Sequence, residues 1–226
     1  MVVNRFPFEI IGFDLDGTLV DSALDLGPAL NHALRAAGRE PVTIDQARSL
    51  VGGGAWVMLE RALLITGGLL EADALDVADA LLLEHYTANI AANTRAYDGC
   101  LAALDELAVR GCRLAVVTNK AEALARKLLA ELGMTARFAS IMGGDTLGRK
   151  RSKPAPDMIH ETVRINGGGR FVMVGDSASD VRAAKNAAVP VVALSFGYHD
   201  VPPHELGADA LIDHFDELLP ALARLG

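Results

Sequence analysis

Phe8-Glu9-Ile10-Ile11-Gly12-Phe13-Asp14-Leu15-Asp16-Gly17-Thr18 decides how the rest of the chain is read. A short apolar run ends on an acidic residue, a second acid follows two places on, and an Asp-Gly step comes next. The apolar run reads as a buried strand, and Asp-Gly reads as the turn that ends it. If the backbone stayed extended, Asp14 and Asp16 would face the same side. Alone, the pattern carries no more weight as a site than as a turn.

The same punctuation recurs downstream. Arg113-Leu114-Ala115-Val116-Val117 ends at Thr118, Phe171-Val172-Met173-Val174 ends at Gly175-Asp176, and Val191-Val192-Ala193-Leu194 ends at Ser195. Ser140-Ile141-Met142 is a weaker fifth run. Helical patterns fill the gaps, over residues 101–109, 121–132, 156–165 and 178–187. Strands alternating with helices predict an α/β fold, a parallel sheet covered on both faces. The polar residues cluster after each strand, at the sheet edge where open α/β folds bind ligands.

One stretch breaks the alternation: residues 21–95 carry only helical signals. Leu26, Leu30, Ala33, Leu34 and Ala37 share a helical face. Pro28 has to start or kink that helix, because it lacks an N–H. Ser22 with Asp25, and Thr43 with Gln46, fit capping boxes. Gly52-Gly53-Gly54 interrupts the chain before helices over 55–65 and 71–90. A strand-to-strand crossover needs only a dozen or so residues. The excess predicts an inserted all-helical unit over 21–95, with 1–20 and 96–226 forming the sheet domain. Gly167-Gly168-Gly169 reads as a plain loop.

Bulk properties narrow the classes. The 226 residues are 51% hydrophobic and 22% charged, enough for one large domain or two smaller ones and unlike a disordered chain. The net charge of −8 comes without a basic patch, which argues against a nucleic-acid partner. No run reaches the ~18 apolar residues of a membrane span. Met1 to Glu9 lacks the pattern of a secretory leader, and two isolated cysteines, Cys100 and Cys112, read as partly buried thiols. The expectation is a soluble cytoplasmic protein, monomeric or homodimeric.

Four clusters carry chemistry. They are Asp14-x-Asp16-Gly17; Thr118-Asn119-Lys120; Lys153-Pro154-Ala155-Pro156; and Gly175-Asp176-Ser177-Ala178-Ser179-Asp180. Each has a plainer reading. Thr118 and Asn119 suit a helix N-cap, Ser177-x-x-Asp180 suits a cap, and Arg149, Lys150 and Arg151 read as solvated surface charges. Together, however, Asp14, Asp16, Asp176 and Asp180 meet at one sheet edge. Like charges that close need a compensating cation, and Mg²⁺ is the natural oxygen-loving choice. Thr118 and Lys153 add a hydroxyl and a positive charge for an oxyanion. The set reads as a phosphoryl-transfer site.

At these residues the chain resembles the haloacid dehalogenase superfamily, whose four motifs occur here in order. The resemblance implies a Rossmann-like core with the Asp14 strand central and a helical cap inserted after it. It also implies roles. Asp14 attacks phosphorus, and Asp16 acts as acid and then base. Lys153 neutralises charge on the phosphoryl group, while Thr118 and the Asn119 backbone hold phosphate oxygens. Mg²⁺ sits on the Asp14 and Asp176 side chains and the Asp16 carbonyl, with Asp180 orienting ligands or waters. Within the superfamily, Asp16-Gly17-Thr18-Leu19-Val20-Asp21-Ser22, Val51-Gly52-Gly53-Gly54, Lys153-Pro154-Ala155-Pro156, Ser195-Phe196-Gly197-Tyr198 and the tail from Asp213 to Leu219 resemble the branch that hydrolyses 2-phosphoglycolate.

One departure is Ala188, where relatives often carry glycine. Gly53 and its neighbours could present backbone N–H groups to substrate, and Arg48 and Arg61 are candidate partners for a substrate carboxylate. Both arginines read more readily as surface. The expected partner is a small phosphorylated metabolite, admitted as the cap opens and closes. A sugar phosphomutase and a receiver-like phospho-aspartate module are the competing readings. A dehalogenase is disfavoured, since it has no alkoxide for Asp16 to protonate.

Overall fold

A computed structural model describes residues 6–199 and 201–226. Met1 to Arg5, part of the stretch read for a leader, lies outside the described residues. Six parallel strands form the main sheet. In chain order they are β1 (Ile10–Phe13), β4 (Arg113–Val117), β5 (Ser140–Met142), β6 (Phe171–Gly175), β7 (Val191–Leu194) and β8 (Ala210–Ile212). A two-stranded antiparallel ribbon pairs β2 (Val20–Asp21) with β3 (Arg95–Ala96). The sheet order is β5-β4-β1-β6-β7-β8, so β1 lies inside, between β4 and β6. The fold is the expected α/β class with a Rossmann-like core, and the Asp14 strand is central.

Alternation along the strands builds two cores. Ile11, Phe13, Leu114, Val116, Val172 and Val174 point to one face, with helices α5 (Cys100–Val109), α6 (Glu122–Glu131) and α9 (Leu218–Leu225). Ile10, Val117, Met173, Val191 and Ala193 point to the other, with α7 (Asp157–Ile165) and α8 (Ala178–Asn186). Strands buried on both faces explain the unbroken apolar runs. β8 was not expected from the sequence. It has three residues at the sheet edge, one of them buried, and so leaves almost no periodic signal.

Between β2 and β3 run four helices: α1 (Ala23–Ala36), α2 (Ile44–Leu50), α3 (Ala55–Thr66) and α4 (Ala72–Ala88). The buried cluster on one sheet face continues through Leu15, Leu19 and Val20 into these helices. Thr43 and Gln46 close the expected capping box on α2. Pro28 lies inside α1, one of the two places left open for it, and forgoes one helical hydrogen bond. One local expectation is corrected. Ser22 and Asp25 do not cap each other. Ser22 Oγ donates to Asp16 Oδ1 at 2.6 Å. Asp25 accepts from the backbone N–H groups and side chains of Asn93 and Thr94. Tertiary partners outbid the local ones in both cases.

Cys100 and Cys112 are buried, and burial raises both thiols, to about 12 and about 11. Ala188 has φ 55, in the left-handed region that favours glycine. Among the described residues no helix is long and apolar enough to cross a membrane.

Candidate active site

Asp14 follows β1 and extends its ladder, its N–H donating to the Val174 carbonyl at 2.9 Å. The side chain therefore emerges at the C-terminal edge, beside residues that follow β6. Carboxylate oxygens of Asp14, Asp176 and Asp180 come within 4.8 Å of one another, and all three residues are buried. One ammonium answers them. Lys153 Nζ lies 3.0 Å from Asp14 Oδ1 and 2.5 Å from Asp180 Oδ1. The contact to Asp14 is an ion pair whose geometry leaves Oδ1 buried without a directed hydrogen bond.

Three buried carboxylates against one ammonium shift one another's acidity. Burial pushes the Asp14 carboxyl up to about 6 against the pull of Lys153. Burial, then the charges of Asp14 and Asp180, push Asp176 well above the usual carboxylate range. Burial alone would lower the Lys153 ammonium, but Asp14 and Asp180 reverse this and raise it. A hard oxygen donor set with excess negative charge and an orphaned carboxylate oxygen suits a divalent ion.

Asp180 is already engaged on both oxygens. Oδ1 holds Lys153, and Oδ2 accepts from the Ser177 N–H at 3.0 Å and from Ser177 Oγ at 2.6 Å. Asp176 is held by Thr18 Oγ1 at 2.6 Å and by the Tyr198 N–H at 2.6 Å. Gly17 makes that approach possible. Its φ is 85, and a Cβ there would come 2.3 Å from Asp176 Oδ2.

Asp16 stands apart from this cluster. Its carboxylate accepts from Lys120 Nζ at 2.9 and 3.0 Å and from Ser22 Oγ. Lys120 is buried, and its ammonium lies 4.5 Å from the centre of the Tyr86 ring, which α4 supplies. Burial opposes the charge on Lys120, but Asp16 outweighs it and raises the ammonium.

A cavity of about 280 Å³ opens between the sheet edge and the helical insert. Asp14, Asp16, Thr118, Asn119 and the Gly52-Gly53-Gly54 loop line it. Neither Thr118 nor Asn119 caps a helix, since α6 begins only at Glu122. Thr118 Oγ1 accepts from the Lys120 N–H at 3.2 Å, and Asn119 Nδ2 bridges the carbonyls of Gly52 and Lys153. Asn119 thus pins the glycine loop against the core. Gly54, at φ 87, would place a Cβ 3.1 Å from the Asn119 carbonyl.

Arg48 and Arg61 do not reach the cavity. Arg48 pairs with Asp21 at 3.0 Å, and Arg61 donates to the Leu50 carbonyl at 3.3 Å. Arg149, read as a surface charge, is exposed but borders the cavity. Two further residues went unassigned in the sequence. Lys120 grips Asp16. Tyr198 joins Asp176 through its N–H to Asp21 through its hydroxyl, the latter at 2.6 Å. Lys120 sits inside a quoted motif, but nothing in its spacing marks a partner 104 positions away.

Comparison with known proteins agrees with this arrangement. A family model described as haloacid dehalogenase-like hydrolase matches residues 11–194, and the chain belongs to that family. A phosphoglycolate phosphatase of Agrobacterium fabrum is 47% identical over 93% of this chain and 90% of its own length. One from Mesorhizobium japonicum is 44% identical over 95% and 94%. The crystal structure of a predicted phosphoglycolate phosphatase from Haemophilus somnus 129pt superposes with a TM-score of 0.89 at 30% identity, over 95% of this chain and 97% of that one. Within the family, this chain is a phosphatase.

Proposed function

We propose that the chain hydrolyses a small phosphomonoester, 2-phosphoglycolate, to glycolate and phosphate through a phosphoryl group carried on Asp14. The observation that carries the reading is the position of Asp14. It is a buried carboxylate at the cavity wall, paired with Lys153 and one residue removed from Asp16. An Asp14 oxygen attacks phosphorus while the bond to the ester oxygen breaks. Asp16 gives its proton to the departing alkoxide. Asp16 then takes a proton from the water that attacks the phosphoryl-aspartate, releasing phosphate and restoring Asp14. Lys153 offsets charge on the transferred group, and Thr118 with the Asn119 N–H orients its oxygens.

Asp14 and Asp176, with the Asp16 carbonyl, would hold Mg²⁺. The ion supplies charge neutralisation for the phosphoryl oxygens. Asp180 keeps Lys153 in place. The helices over 21–95 act as a cap that opens about the β2–β3 ribbon and closes to exclude water. The 2-phosphoglycolate assignment rests on relatives named for it at 47% and 44% identity.

The test is kcat/KM over a panel of phosphomonoesters with Mg²⁺, 2-phosphoglycolate and a hexose 1-phosphate included. The expected result is free phosphate, fastest from 2-phosphoglycolate. Isomerised hexose phosphate without phosphate release would replace this reading with a phosphomutase.

A further inference from the structure

We infer that Arg149 reads the second anionic group of the substrate, a carboxylate one or two carbons from the phosphate ester. The inference rests on the phosphatase reading above and assigns the residue that selects among phosphoesters.

The argument starts from the cavity wall. The insert contributes Val51, the glycine loop, Val57, Met58 and Leu83, none of which carries a charge. Its one ionisable acid there is Asp79, on α4. A carboxylate entering this space therefore needs a cation from the core. Among the described lining residues, two are cationic: Lys120 and Arg149. Lys120 is committed, with Asp16 on its ammonium at 2.9 Å and the Tyr86 ring beneath it. Arg149 makes no ion pair among the described residues.

Arg149 sits in a short turn, Arg149–Arg151, four positions before Lys153. Of that turn only Arg149 borders the cavity, and Arg151 is paired with Asp157 at 2.6 Å. A chain that places Lys153 against Asp14 thereby brings a guanidinium to the cavity rim. Across the gap stands Asp79, whose Oδ1 is buried without a hydrogen bond. Burial raises the Asp79 carboxyl, and Arg149 is the positive charge that opposes the rise. Asp79 and Arg149 thus border the same cavity.

The chemistry fits the substrate class. A guanidinium presents two parallel donors that match a carboxylate, whereas an ammonium acts as a point charge. An ester without the carboxylate forgoes that two-donor contact. A cavity of about 280 Å³ has room for a small phosphoester.

The experiment compares Arg149→Met and Arg149→Lys with the wild type on 2-phosphoglycolate and on ethyl phosphate, which lacks the carboxylate. For Arg149→Met, kcat/KM on 2-phosphoglycolate should fall about 30- to 100-fold, mostly through KM, because the contact is made equally in ground and transition states. The loss on ethyl phosphate should not exceed about threefold, and Arg149→Lys should recover part of the difference. Equal losses on both esters would overturn the inference, placing Arg149 on the phosphate or in the fold. So would an Arg149→Met enzyme that keeps its preference for the carboxylate ester. A wild type that hydrolyses neither ester would instead defeat the phosphatase reading itself.

Discussion

Asp176 shows how much of a buried site is supporting structure. The carboxylate is held by a hydroxyl from Thr18 and an amide from Tyr198, each at 2.6 Å. Those two donors take one oxygen each and hold the carboxylate's plane. Groups that orient a ligating carboxylate typically matter 10- to 100-fold to metal affinity. Thr18→Val keeps the shape and removes the hydroxyl. We expect Mg²⁺ affinity to fall by about tenfold in a calorimetric titration, with the thermal midpoint changing little. Unchanged affinity would mean that Thr18 does not position Asp176. Asp14 and Asp176 were legible at this scale because each follows a strand run, and Lys153 because two prolines follow it. Tyr198 was not, because its partners lie 22 and 177 positions away and nothing local marks them.

Among elements, the clasp that anchors α1 is the clearest case of a tertiary choice over a local one. The spacing of Ser22 and Asp25 suggested a capping box. Instead Asp25 is buried and receives four donors from Asn93 and Thr94, just ahead of β3. One carboxylate thus ties the start of the insert to its end. Burial would raise the Asp25 carboxyl, but those hydrogen bonds outweigh it and leave it below the usual range.

The sign follows from linkage. A depressed carboxyl lends stability that is present above its unfolded value, near pH 3.9, and is lost as pH falls through the lower folded value. Asp25→Ala strands the donors and should cost about 2–4 kcal/mol at neutral pH in urea unfolding. The gap between variant and wild type should narrow below about pH 4. A constant gap across that range would show that the carboxylate's charge is not what the clasp uses. Ala188 belongs to the same scale. Its φ of 55 costs about 1–2 kcal/mol against glycine, a strain confined to the turn after α8. The sequence flagged the position, because glycine there would be the unstrained choice.

At the scale of the molecule, the site is a consequence of strand order. Parallel strands end on the same edge, so residues that follow β1, β4 and β6 converge although they lie about 60 to 160 positions apart in the chain. That alternation was readable from the five apolar runs, and so were the α/β class and the long helical interruption. The edge strand β8 was too short to read. The cavity's charge pattern was out of reach for another reason. Which of Arg48, Arg61 and Arg149 borders it depends on how the helices of the insert pack over the sheet edge, and side-chain periodicity is silent on that. The sheet edge thus brings Asp14, Asp16, Lys153 and a cavity together.

The central claim is that Asp14 takes the phosphoryl group. It is tested most directly by mixing Asp16→Asn enzyme with p-nitrophenyl phosphate and Mg²⁺, then quenching in acid. Nitrophenolate leaves without a proton donor, while hydrolysis of the aspartyl phosphate lacks its base. The account predicts a burst of nitrophenolate equal to the enzyme concentration, and a phosphoryl mass on the peptide that contains Asp14. Steady release with no burst, and an unmodified Asp14 peptide, would contradict it.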